Sequence, residues 1–120
     1  MLVIDAANVI GSRPTGWWHD RPGAARAFVE VVRATVVAGG LSAPVTIVVE
    51  GLARAGAAEA DVDGVTVVHA AGAGDDTIAT VAAAAHDAVV VTADRGLAAR
   101  VRAAGAVVVG PSWLLDRLVD

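Results

Sequence analysis

Short Val-rich runs alternate with Ala-rich stretches along this chain, and the alternation predicts strands separated by helices. The Val-rich runs are continuously apolar, which is typical of parallel strands buried on both faces. The predicted strands are Leu2–Ile4, Val45–Val49, Val65–Val68, Ala88–Val91 and Ala106–Val109.

The stretches between these runs have helical periodicity and helix-ending residues. Gly39-Gly40 and Gly105 are placed as helix stops, and Gly110-Pro111 precedes the last helix. The predicted helices are Gly23–Ala38, Ala53–Ala60, Asp76–Ala85, Arg95–Ala104 and Ser112–Val119. Right-handed crossovers then give one α/β domain over residues 1–120, a three-layer sandwich around a mostly parallel five-stranded sheet in the Rossmann-like order 3-2-1-4-5.

Composition narrows the classes of function. The 120 residues are 56% hydrophobic, mostly Ala and Val, with a formal net charge of -4. That charge argues against a protein that coats nucleic acid by bulk electrostatics. The absence of Cys excludes disulfides and Cys-ligated zinc, and the absence of Lys excludes a standard P-loop. No apolar run approaches ~18 residues and no basic leader is present, so we expect a cytoplasmic protein without a membrane partner.

Acidic residues follow four of the predicted strands. Asp5 ends the first strand, Glu50 the second, Asp75 and Asp76 follow the third, and Asp94 follows the fourth. In an open α/β sheet, ligands bind beyond the carboxyl ends of the strands, where the strand order reverses. The predicted topology places these acids along that one edge.

Each acid also has a structural interpretation. Asp75 and Asp94 stand where helix N-caps belong, and Glu50 before a Gly could be a solvated loop residue. Asn8 could be a loop or cap residue. Asp5 is harder to explain in this way, because it ends a central strand.

Taken together, the acids predict a divalent cation. Two carboxylates ~5 Å apart repel by ~3 kcal/mol at an effective dielectric near ~20. Mg²⁺ or Mn²⁺ would remove this repulsion with oxygen ligands, whereas His19, His69 and His86 are too scattered to suggest zinc. Such a site suits phosphodiester hydrolysis by a metal-activated water.

Five motifs cover essentially the whole chain in this order: "DAANVIG", "SRPTGWWHDRPGAA", "VVEG", "GDDTIA" and "VVVTADRGL". Together they resemble the NYN and YacP-like branch of the PIN-like nucleases. The resemblance implies a PIN-like (NYN) domain that cleaves RNA with Mg²⁺ or Mn²⁺.

The resemblance also implies roles for individual residues. Asp5 would be a metal ligand, and Asn8 would orient that ligand or a water. Asp75 would be the helix-start acid, Asp76 a supporting or alternate ligand, and Asp94 the acid that closes the site.

Thr92 would hold the turn after the fourth strand by its hydroxyl. Two positions depart from the family pattern: Ala6 stands where the family usually has Gly, and Glu50 where it more often has Asp. Glu50 is therefore a candidate ligand whose role the resemblance leaves open.

The loop "GWWHDRPG" is unusual in a chain with three Trp, one Phe and no Tyr. Trp17 or Trp18 could stack on an unpaired base, while Arg13, Arg21 or Arg95 meets phosphates. Alternatively, at least one Trp of the pair covers an open edge of the core, or the pair forms a homodimer contact.

We therefore predict a metal-dependent ribonuclease with Asp5, Asp75 and Asp94 as principal ligands. The alternatives are a non-catalytic RNA- or protein-binding module of the same fold and, more weakly, a small-molecule phosphatase.

Overall fold

The computed structural model describes residues 1–119, and a six-stranded sheet organises them. The strand order is β3-β4-β2-β1-β5-β6, and only β3 runs antiparallel to its neighbour. The five parallel strands follow the predicted order, and β3 is an addition at one edge. The strands are β1 (Leu2–Asp5), β2 (Val45–Val49), β3 (Ala60–Val62), β4 (Val65–His69), β5 (Val89–Val91) and β6 (Val107–Val109).

Four of the five predicted helices are present near their predicted positions, and one helix is an addition. A six-residue helix, which we name α1, begins directly after β1 and was not predicted. No helix of the described residues is long and apolar enough to cross a membrane. The helices are α1 (Ala6–Gly11), α2 (Arg21–Val37), α3 (Gly74–Ala83), α4 (Arg95–Ala103) and α5 (Pro111–Leu115), with 3₁₀ turns at Trp17–His19 and Gly51–Gly56.

Two apolar cores, one on each face of the sheet, make the three layers. Ile4 and Ile47 face the core that contains α1, α2 and α5. Val3 and Val48 face the opposite core, which α3 and α4 complete. Alternate residues of one strand thus enter different cores, and each buried branched side chain contributes about 1.5–3 kcal/mol. The predicted α/β sandwich is confirmed.

The predicted helix Ala53–Ala60 is wrong. The chain forms a 3₁₀ turn at Gly51–Gly56 and then enters β3. The cause is a two-residue hairpin loop, Asp63-Gly64, whose φ angles are 55° and 78°. Positive φ at both positions matches the twist of the flanking strands, so Val62 pairs with Val65 and the hairpin outweighs the helix propensity of Ala.

Candidate active site

Asp5 lies at the carboxyl end of β1, the strand between β2 and β5. It is only 6% exposed. Its Oδ1 accepts a hydrogen bond of 3.4 Å from the main-chain N–H of Asn8, and its Oδ2 accepts one of 3.0 Å from the Thr92 hydroxyl. The carboxylate therefore caps α1 and also contacts the end of β5.

One further hydrogen bond joins the same two strand ends, and another holds the turn after β5. The Ala93 N–H donates to Oδ1 of Asn8 at 2.7 Å, and the Asp94 N–H donates to Oγ1 of Thr92 at 3.1 Å. In the sheet, β2 lies on one side of β1 and β5 lies on the other, so the strand order reverses between β1 and β5. These residues lie at that point.

The charge of Asp5 is held in an unfavourable environment. Its pKa is raised from 3.8 to about 6, chiefly by burial and secondarily by the negative charges of Glu50 and Asp75. The hydrogen bonds from Thr92 and Asn8 partly oppose this rise. Asp5, Glu50 and Asp75 therefore lie close enough to interact electrostatically, although they come from three separate segments.

Glu50 connects the end of β2 to the start of α3. Its Oε2 accepts a hydrogen bond of 3.0 Å from the N–H of Gly74, the first residue of α3. The helix's own N-cap residue, Ala73, supplies no side-chain bond, so Glu50 caps α3 from another part of the chain. Asp75 is not the N-cap of α3, as its place in the sequence suggested. The helix begins at Gly74, and Asp75 lies inside its first turn.

The carboxylates of the two remaining acids, Asp94 and Asp76, each bind a partner on α4. Asp94 caps α4, and its Oδ1 accepts a hydrogen bond of 3.0 Å from the Leu97 N–H. Asp76 is exposed and forms an ion pair of 2.7 Å with Arg100. Among residues 1–119, no three acidic or imidazole side chains are already arranged around a common metal position.

This architecture has a counterpart among solved structures. No protein-family model and no curated protein matches the chain. The structure is similar to the crystal structure of a point mutant of Rae1 (YacP) from Bacillus subtilis, with a TM-score of 0.66 and 20% sequence identity, over 96% of this chain and 71% of that one. The protein has a YacP-like fold.

In this YacP-like fold, a cavity of about 210 Å³ is lined by Glu50 and by Ala6, the residue that follows Asp5. Ile10 of α1 and Val49 of β2 contribute apolar walls, while Glu50, Arg21 and Trp17 contribute polar and aromatic ones. The guanidinium of Arg21 lies 5.4 Å from the centre of the Trp17 ring, within range of a cation–π contact. Two of the predicted substrate-binding residues therefore share one cavity with a predicted metal ligand.

The other predicted substrate-binding residues are more dispersed. Arg13 is exposed in the loop after α1, and Arg95 is the exposed first residue of α4, next to Asp94. Trp18 packs edge-on against Trp17 and is 51% exposed. Trp113 packs against the core that contains α5.

Two contributors to the site were missed in the sequence. The helix α1 forms a wall of the cavity, and its signal was present, because Asp5 and Asn8 have the spacing of an N-cap and its bonded amide. The amide of Gly74 binds Glu50 across 24 residues of chain, and no local pattern points to such a contact.

Proposed function

We propose that the protein is a ribonuclease that hydrolyses phosphodiester bonds with Mg²⁺ or Mn²⁺ at the edge where β1 and β5 end. The observation that carries this proposal is the state of Asp5. Its carboxylate is buried, its pKa is raised to about 6, and the negative charges of Glu50 and Asp75 contribute to that rise. Within residues 1–119, neither of its oxygens forms an ion pair with a basic side chain. Perturbed carboxylates of this kind are concentrated at functional sites.

The chemistry of the donors fits a hard cation. Each oxygen of Asp5 accepts one hydrogen bond, so lone pairs remain on both. Mg²⁺ binds through one or two carboxylates and fills its other positions with water and substrate phosphate. Asp5 together with Asp75, whose charge reaches it, would supply the two carboxylates, even though these groups do not form a complete protein cage.

The metal would acidify a coordinated water and neutralise charge on the phosphate. Asp5 holds a negative charge above about pH 6, and Thr92 fixes its orientation through the bond to Oδ2. The side chain of Asn8 is anchored by Ala93 through Oδ1, so its amide N–H groups can donate to a water or to a phosphate oxygen.

RNA is the proposed substrate on two grounds. The NYN and YacP-like motifs of the sequence imply RNA cleavage, and the fold is YacP-like. The cavity next to Asp5 also combines an aromatic ring with a guanidinium, a pairing suited to unpaired nucleotides.

The test compares two acid-to-amide variants. Wild-type protein should cleave a 5′-labelled single-stranded RNA in Mn²⁺ and release heat on Mn²⁺ titration. Asp5→Asn should lose both properties. Asp76→Asn is the matched control, because its carboxylate is occupied by Arg100, and it should retain both. Normal cleavage by Asp5→Asn would refute the proposal.

A non-catalytic RNA- or protein-binding module is the second candidate. It is favoured by the bonds of Asp94 and Asp76, which serve a helix cap and a surface ion pair. This candidate predicts that the wild-type protein binds RNA but neither cleaves it nor takes up Mn²⁺.

A further inference from the structure

The cavity beside Asp5 has a volume and a lining that suit one heterocycle. Its volume of about 210 Å³ is below the roughly 300–1,000 Å³ that drug-sized ligands occupy. Ile10 and Val49 provide apolar surface, and the indole of Trp17 provides an aromatic one. Unpaired bases are commonly held in such surroundings, because every base has an apolar face that can stack.

Glu50 is the acidic group of this cavity, and its hydrogen bonds are only partly used. Oε2 binds the Gly74 N–H, which fixes the side chain, while Oε1 has no partner among the described residues. An ionised carboxylate accepts hydrogen bonds and donates none. A ligand edge that faces Glu50 must therefore present N–H donors.

The four RNA bases differ in this respect. Guanine offers two adjacent donors, N1–H and the N2 amino group, which match the two oxygens of a carboxylate. Adenine and cytosine each place one amino group beside a ring nitrogen that accepts, and uracil flanks its single N–H with two carbonyl oxygens. Acceptors facing a carboxylate are repelled, so the lining favours guanine.

Arg21 supplies the complementary charge. Its guanidinium lies over Trp17, and none of the ion pairs of residues 1–119 joins it to Glu50. The cation is therefore available at the rim of the cavity for a phosphate oxygen of the same nucleotide.

We infer that this cavity is a specificity site that accepts one unpaired guanine of the RNA, with Glu50 reading its N–H edge, Trp17 contacting its face and Arg21 binding its phosphate. The inference rests on the proposed function, because it takes the ligand to be the substrate. Glu50 then acts in base recognition and in capping α3.

Binding without metal tests the site separately from catalysis. Calorimetry with GMP, AMP, CMP and UMP in EDTA should give an affinity for GMP on the order of tenfold above the others. Glu50→Gln keeps an acceptor for the Gly74 N–H but turns one acceptor into a donor, so it should abolish the preference for GMP. Glu30→Gln, on the exposed face of α2, is the matched control and should keep the preference.

The tryptophan pair provides a second comparison. Trp17→Leu should weaken binding of all four nucleotides, whereas Trp18→Leu should not, because Trp18 does not line the cavity. Thermal melting of each variant shows whether it is folded.

The outcomes separate the two proposals. Cleavage of RNA in Mn²⁺ together with equal affinity for the four nucleotides would overturn the inference and leave the proposed function standing. Preferential GMP binding without cleavage of any RNA would support the guanine site and overturn the proposed function. A guanine preference that persists in folded Glu50→Gln would also overturn the inference.

Discussion

Replacing Asp5 by Asn should make the metal-free protein more stable at neutral pH. The folded state raises the pKa of Asp5 from 3.8 to about 6, chiefly through burial and secondarily through Glu50 and Asp75. Between these two values the folded state binds more protons than the unfolded state. The contribution of Asp5 to the free energy of unfolding therefore falls as pH rises from about 4 to above 6, and Asn removes this dependence.

The size of the effect follows from the pKa and from the hydrogen bonds. A rise from 3.8 to about 6 corresponds to about 3 kcal/mol of destabilisation once Asp5 is fully ionised. Asn retains an acceptor for only one of the two donors, the Thr92 hydroxyl or the Asn8 amide, so about 1 kcal/mol is lost. The net gain is about 2 kcal/mol at pH 8, and near pH 4 the variant should be about 1 kcal/mol less stable than wild type.

Urea denaturation in EDTA at pH values from 4 to 8 measures this difference. Asp76→Asn is the control and should stay within about 0.5 kcal/mol of wild type, because it removes only an exposed ion pair. Mn²⁺ at 100 times its dissociation constant should then stabilise wild type by about 2.7 kcal/mol and leave Asp5→Asn unchanged.

The reasoning fails if the difference between Asp5→Asn and wild type does not change with pH. It also fails if Asp5→Asn is the less stable protein at pH 8. Either result would mean that the carboxylate of Asp5 is well solvated or compensated in the folded state.

Three further substitutions probe the surroundings of the site. Thr92→Val removes the donor to Asp5 and the acceptor of the Asp94 N–H, so the free energy of unfolding in urea should fall by about 2 kcal/mol. Because the Thr92 hydrogen bond lowers the pKa of Asp5, the pH at which cleavage reaches half its maximum should rise. An unchanged pH profile would contradict this role of Thr92. Gly56→Ala would drive a Cβ into the main chain of Pro22 and should lower the unfolding free energy by roughly 1–3 kcal/mol. Gly72→Ala, where a Cβ meets open space, should change it by less than about 0.5 kcal/mol, and equal effects of the two would disprove the close packing at Gly56.

Most of the fold could be predicted because the parallel strands carry strong local signals. Val45–Val49 has identical predicted and observed bounds, and all five parallel strands were found in their correct order. The β3 hairpin was missed although the Asp63-Gly64 pair is a typical two-residue turn. The Ala-rich sequence before it favoured a helix, and helix propensity is a weak signal that pairing to β4 overrides.

The candidate site could be predicted only in part. The sequence shows which acids follow strands, and Asp5 and Glu50 do lie at the ends of β1 and β2. It does not show how each carboxylate is used, because the partners of Glu50 and Asp76 come from distant helices. Local spacing did identify Asp94 as a helix cap, since its bonded amide lies three residues on.

The two edges of the sheet differ in how well they resist addition of a foreign strand. Both edge strands, β3 and β6, have only three residues, so a strand added to either would gain few main-chain hydrogen bonds. Asp61 and Asp63 bring charge to the β3 edge, whereas β6 consists of three valines, of which Val107 is 60% exposed. Lateral self-association in concentrated solution should therefore start at β6, and a charged side chain at position 107 would protect that edge.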